Sequence, residues 1–197
     1  DFERDEGKTL ACCARLQSDV PIEAEIEEEP DAESIPVRDF PGTVTRIEAL
    51  TPTIKAVFIE TDEPMHFQAG QYINLMLPDG IGSRAFSIAS VPGADELELN
   101  IRVVPGGRGT LYVHEQMKVG ERVHLTGPYG RFFVKKSADV PVIFMAGGSG
   151  LSSPRSMILD LLATGWSQPI TLVYGQRTRD ELYYHEEFVA LARRHPH

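Results

Sequence analysis

Apolar and polar positions alternate through the middle of the chain. Gly42–Leu50, Ile54–Glu60, Gln71–Leu77, Arg84–Ser90, Glu96–Val104 and Arg122–Thr126 each show a period-two pattern or a short apolar run, as strands do. The breaks carry turn chemistry: Thr51-Pro52, Glu63-Pro64, Pro78-Asp79-Gly80, Pro92-Gly93 and Gly127-Pro128. Six short strands at this spacing predict a small, closed or nearly closed antiparallel barrel. One helix is predicted within it, Thr110–Met117, entered through Pro105-Gly106-Gly107-Arg108-Gly109.

After Lys135–Asp139 the period changes. Val140–Met145 reads as a buried strand, followed by Ala146-Gly147-Gly148-Ser149-Gly150-Leu151-Ser152-Ser153-Pro154. Ser153 is placed to cap a helix whose first turn suits Pro154. Met157, Ile158, Leu161 and Leu162 then form a helical stripe that Gly165 ends, and Ile170–Tyr174 is the next strand. This βαβ pattern predicts parallel strands and a right-handed crossover. A second helix is expected over Asp180–Arg194. Two strands and two helices do not cover a parallel sheet on both faces, so this segment reads as the first half of a truncated domain. At the other end, Ile22, Ala24 and Ile26 alternate with Glu23, Glu25 and Glu27, as in a half-buried strand. Three segments follow: 1–34, a remnant and linker; 35–138, the barrel; 139–197, the half-domain.

Charge narrows the partners. The 197 residues carry a net charge of -10, and residues 1–33 hold 12 acids against 3 bases. Such an arm repels phosphate backbones, which argues against nucleic acid. The run Glu23–Asp31 reads as a solvated linker in preference to a docking patch. The apolar run Val140–Ala146 is interrupted by Pro141 and falls short of the roughly 20 residues a membrane helix needs. No basic-then-apolar leader opens the sequence. Its two cysteines, Cys12 and Cys13, are adjacent and form no disulfide framework, so a reducing, cytoplasmic setting is expected. The histidines lack metal-ligand spacing.

Three stretches offer chemistry. On a strand, Arg84 and Phe86 fall on one face, a cation beside an aromatic plate, with the Ser87 hydroxyl adjacent. A ligand with both a phosphate and a flat ring system needs those groups together, although an edge strand with a surface Arg and a core Phe fits the same residues. The glycine-rich entry to the first helix leaves N–H groups aimed at an anion, with Arg108 in the loop; a flexible hairpin loop is the other reading. Gly148-Ser149-Gly150-Leu151-Ser152-Ser153 nearly matches G-x-G-x-x-G and stands between a strand and a helix, the context that gives such a match meaning. No Lys follows the glycines, so it is not a P-loop. The acid usual after the second strand is replaced by Gly175-Gln176-Arg177. Two phosphate-cradling loops and one aromatic-plus-cation strand together suggest two nucleotide cofactors.

In this order, Arg84-Ala85-Phe86-Ser87, Gly127-Pro128-Tyr129-Gly130 and Ala146-Gly147-Gly148-Ser149-Gly150 resemble the ferredoxin–NADP reductase superfamily over Val37–His197. With Phe67-Gln68-Ala69-Gly70-Gln71-Tyr72 and Gly147–Ile158, the pattern looks most like the reductase components of multicomponent phenol hydroxylases. The resemblance implies an all-β antiparallel six-stranded Greek-key barrel binding FAD, then the first half of an α/β parallel-sheet domain binding NADH. It implies Arg84 at the FAD pyrophosphate, Phe86 on the isoalloxazine, Ala85 between them, and Ser87 near flavin N5 as the catalytic residue. Ile101, Arg102 and Val103 would line the flavin, and Gly107, Arg108, Gly109 and Thr110 its phosphates. Gly147, Gly148, Ser149, Gly150 and Leu151 would hold NADH, with Tyr174–Arg179 at the adenosine end. Leu10-Ala11-Cys12-Cys13 resembles the last cysteine motif of a plant-type ferredoxin domain, so Cys12 would ligate a 2Fe–2S cluster in a full-length parent and not in this chain. The implied partner is a terminal oxygenase, with no membrane. Three other readings fit: a reductase for another arene or alkane oxygenase, a non-catalytic flavin-binding electron carrier, and a barrel for an apolar ligand.

Overall fold

The structure is a computed structural model that describes residues 17–21 and 29–196. Cys12, Cys13 and the Ile22–Glu27 alternation lie outside the described residues.

Six strands are joined in one antiparallel, curled sheet: β1 (Arg38–Ala49), β2 (Ile54–Thr61), β3 (Tyr72–Leu77), β4 (Gly82–Ser87), β5 (Leu97–Arg102) and β6 (Arg122–Tyr129). Their order across the sheet is β4-β3-β6-β1-β2-β5. A single antiparallel bridge, Ile88 to Leu99, brings the chain beyond β4 against β5, the strand at the opposite edge. The alternating apolar positions point inward: Val44, Ile59, Ile73, Leu75, Leu99 and Leu125 are completely buried in one cluster. Helix α1 (Arg108–Glu115) closes one end, adding Tyr112 and Val113 to that cluster. β4 ends at Ser87 instead of Ser90, because Ile88 leaves β3 for its bridge with β5.

The second region pairs β7 (Val142–Gly147) with β8 (Ile170–Gly175) in parallel. Helix α2 (Ser152–Ala163) packs Met157, Ile158 and Leu161 over Phe144 on one face. On the opposite face Ile143 and Met145 stand 68% and 79% exposed. Three expectations need correction. The strand expected to be buried over Val140–Met145 is β7, buried only at Phe144, because this two-stranded sheet is covered on one face alone. Ser153 does not cap α2: a 3-10 turn, Gly148–Leu151, runs straight into the helix, and Ser152 Oγ instead donates to Ser149 O at 2.9 Å. The expected helix Asp180–Arg194 is a 3-10 turn, Arg179–Glu181, followed by α3 (His185–Arg194). Tyr184 breaks it, with φ of 57°, held there by contacts described below.

The acidic linker does not float free where it is described. Asp31 accepts from the Ser137 backbone N–H at 3.0 Å and from its hydroxyl at 2.5 Å, Glu29 pairs with Lys135, and Gln68 Nε2 donates to Asp31 O at 2.7 Å. The cause is a landing site that the sequence does not advertise: the Lys135 ammonium meets Glu29, and the Ser137 N–H at the Lys136–Ala138 3-10 turn meets Asp31.

Candidate functional site

Two loops that each open a helix, and the strand β4, are brought to neighbouring parts of the surface. In β4, Phe86 faces Ile73 and Arg84 faces Leu75 across the ladder, so both side chains share one face. Phe86 is half-buried against the barrel core, and Arg84 is exposed. The Arg84 guanidinium donates to its neighbour's carbonyl, Ser83 O, at 2.7 Å. Arg108 Nη2 reaches Asp79 O at 3.3 Å. Among the described residues no carboxylate pairs with either cation.

The start of α1 lies against Arg84. A Cβ added to Gly109 would sit 2.9 Å from Leu77 Cδ1 and 3.0 Å from Arg84 Cγ, so only glycine lets the helix approach this closely. Thr110 Oγ1 accepts from Val104 N–H at 3.0 Å and donates to Gly107 O at 3.2 Å, which fixes the turn. Two guanidiniums without a counter-ion, at a helix N-terminus and beside a half-buried aromatic ring, fit an anionic dinucleotide bearing a flat ring. Of the expected flavin-lining trio, Ile101 is buried in the barrel core, where its side chain is spoken for. Its carbonyl accepts from the His114 ring at 2.9 Å if Nε2 carries the proton. Val103 N–H donates to Thr53 O at 2.8 Å. Arg102 turns the other way, toward the second loop: a Cβ on Gly148 would meet its Nη1 at 3.2 Å.

That second loop, Gly147–Leu151, is held by Gln176, from the segment expected at the adenosine end, and by Tyr183, which the sequence did not single out. Gly148, with φ of 56°, donates its N–H to Gln176 Oε1 at 3.2 Å, and its carbonyl accepts from Tyr183 Oη at 2.9 Å. Gln176 Nε2 donates to Tyr174 Oη at 2.9 Å. Leu151 is completely buried with Ile54 and Tyr183 and acts as a peg between barrel and α/β region. Gln176 stands where an acid is usual, which was legible; the Tyr183 clamp, coming from a segment read as helix, was not.

Beside this loop lies a buried ionic cluster. Arg155, on α2, bonds Glu98 of β5 and Glu187 of α3, and its guanidinium covers the Tyr184 ring at 4.3 Å. Burial opposes the Arg155 charge, but the Glu187 and Glu98 carboxylates outweigh it and raise its pKa. Burial and then Glu98 push the Tyr184 phenol, which donates to Glu98, well above the ordinary range; burial does the same to Tyr183. Among the described residues no group of His, Cys, Asp and Glu could hold a metal ion, and no helix is long and apolar enough to cross a membrane.

Comparison with known proteins agrees with this geometry. Residues 41–134 match the model of an oxidoreductase FAD-binding domain, and residues 144–197 that of an oxidoreductase NAD-binding domain. The chain is 55% identical, over all 197 residues and 56% of the relative's length, to the phenol 2-monooxygenase reductase component DmpP of Pseudomonas sp. (strain CF600). It is 52% identical, with the same coverage, to the phenol hydroxylase P5 protein of Acinetobacter pittii (strain PHEA-2). The crystal structure of the Amycolatopsis cytochrome P450 reductase GcoB superposes with a TM-score of 0.79 at 32% identity, over 99% of this chain and 60% of that one. The chain thus spans little more than half the length of the curated relatives it matches.

Proposed function

Because the chain belongs to the ferredoxin–NADP reductase superfamily of FAD- and NAD-binding oxidoreductases, we propose that it is the flavin-containing part of the reductase component of a bacterial phenol hydroxylase. In this reading Arg84, Phe86, Ser87 and Arg108 would hold FAD, whose chemistry would turn the hydride of NADH, leaving NAD⁺, into a proton for solvent and two single electrons for a terminal oxygenase, by way of a 2Fe–2S cluster in the longer protein. FAD, when bound, supplies the two-electron acceptor at N5 that also releases electrons one at a time.

The chain's own residues do the placing. Arg84 and Arg108 neutralise the pyrophosphate that the N-terminus of α1 receives, with Gly107, Gly109 and Thr110 shaping that turn. Phe86 would stack on the ring system, flanked by Ala85. Ser87 would offer its hydroxyl to the reacting nitrogen. The backbone of Ile101–Val103 borders the ring, while Arg102 serves the second loop. Gly147, Gly148, Ser149 and Gly150 receive the nicotinamide nucleotide, held in shape by Gln176 and Tyr183, while the buried Leu151, expected among them, serves as the peg beneath the loop. The barrel region is read as a closed Greek-key domain over 35–138, and 139–197 as the first half of the NADH domain, its exposed Ile143 and Met145 face awaiting the remainder. Residues 1–34 are read as the end of a ferredoxin domain, with Cys12 a cluster ligand in the longer protein. Residence in the cytoplasm, with its NADH pool, belongs to the same reading.

The observation that carries this proposal is Arg84: an exposed cation that no carboxylate pairs among the described residues, at a helix N-terminus and beside Phe86, inside the FAD-binding match. Anaerobic titration of the full-length, FAD-loaded protein with NADH tests it. One NADH per FAD should bleach the flavin absorbance completely; a flavin that stays oxidised under excess NADH would contradict it.

A further inference from the structure

Helix α2 grips the backbone that leaves β4. Ser156 Oγ, completely buried, donates to Ser90 O at 2.7 Å. Arg155 Nη1 donates to Ala89 O at 2.9 Å and to Glu98 Oε2 at 2.8 Å. The other edge of the same guanidinium forks onto Glu187, Nε to Oε2 at 2.8 Å and Nη2 to Oε1 at 2.9 Å. Glu98 N–H in turn donates to Ser90 Oγ at 3.1 Å. The Arg155 and Glu98 side chains are only 12% and 6% exposed.

These bonds are directional and buried. A guanidinium presents its donors in one plane, and Arg155 spreads them over three elements, Nη1 on the segment after β4 and on strand β5, and Nε with Nη2 on helix α3. Sliding α2 along the barrel would leave a buried charge and two carbonyls unpaired, so the arrangement tolerates one register. The carbonyls it grips belong to Ala89 and Ser90, directly downstream of Ser87 on the same extended run.

We propose that Arg155 and Ser156 are positioning residues for hydride transfer: they index the nicotinamide-binding domain to the strand that carries Phe86 and Ser87. This rests on the functional reading above and deepens it. Neither residue touches the reacting atoms. Each sets where the donor domain stands relative to the acceptor strand, and misplacement of about 1 Å in such a geometry lowers a rate by about 100-fold.

The test uses the full-length, FAD-loaded protein and the variants Arg155→Gln, Arg155→Lys and Ser156→Ala. Flavin content, the apparent NADH Kd and the limiting rate of flavin reduction are measured by anaerobic rapid mixing, and unfolding by calorimetry. Arg155→Gln should keep its flavin and hold NADH within about 3-fold of wild type while its limiting rate falls about 10- to 100-fold. Arg155→Lys, which keeps the charge but not the fork, should recover part of the loss. Ser156→Ala should fall by several-fold. Limiting rates within about 2-fold of wild type in Ser156→Ala and in whichever Arg155 variant folds would overturn the proposal. Should neither Arg155 variant fold, Ser156→Ala decides alone. A wild-type protein that holds FAD and is not reduced by NADH would sink the functional reading instead. Calorimetry then judges the indexing: one transition in wild type that splits in the variants supports it, and unchanged traces overturn it.

Discussion

Arg84 is a cation held open by its neighbours. Its only side-chain bond among the described residues is to Ser83 O, and Gly109 clears the space at its stem. A charge-assisted contact to a phosphate is worth about 1.5–3 kcal/mol, so Arg84→Ala should weaken FAD retention by about 10- to 100-fold. Ser87→Ala should retain FAD nearly as wild type does, as equilibrium dialysis would show; equal losses in both would refute the assignment. Gly70 makes a second residue-scale test. Its φ is 101°, and an added Cβ would lie 2.0 Å from Phe132 O and 2.4 Å from Met157 Cε. Left-handed strain and overpacking each cost about 1–3 kcal/mol, so Gly70→Ala should destabilise by about 2–6 kcal/mol in chemical denaturation.

Of the six antiparallel strands, β1, β3 and β6 were legible because each buries one face and a period of two survives in the residues; β5 alternates too, but Glu98 and Asn100 on its polar face are also buried, which the alternation does not reveal. The junction of α3 was not. Leu182 and Tyr183 continue an apolar pattern, yet Tyr184 takes a positive φ because its ring lies on Arg155 and its hydroxyl on Glu98, contacts with β5 and α2 that no local pattern encodes. The same contacts give a pH prediction. The Tyr183 and Tyr184 phenols have folded pKa values raised by burial, so the fold favours their neutral forms. Their contribution is fully present below the ordinary tyrosine value of about 10 and is lost as pH climbs through the raised values. The urea midpoint should therefore drop as pH rises beyond about 10, and Tyr184→Phe should reduce that slope. An unchanged slope in the variant would contradict the account.

For the molecule as a whole, the two regions meet through Leu151, Tyr183 and the Arg155 cluster, and the linker is bonded to Gln68 and to the Lys135–Ser137 turn. Its acidic composition suggested solvation, and composition is silent about a partner as local as the Ser137 N–H. Asp31 bonds Ser137 three times, twice through the backbone N–H and once through the hydroxyl. Removing a cap of this kind costs about 0.5–2 kcal/mol, so Asp31→Ala should speed limited proteolysis around residues 29–36 and leave FAD content unchanged. Slower or unaltered cleavage would show that the linker is held by something else.

The central claim is that one FAD sits on β4 and the N-terminus of α1, and flavin uptake measures it directly. Titration of the flavin-free protein with FAD, followed by flavin fluorescence, should saturate at one equivalent and fail in Arg84→Ala at the same concentration. A protein whose fluorescence titration is indistinguishable from free FAD would contradict it.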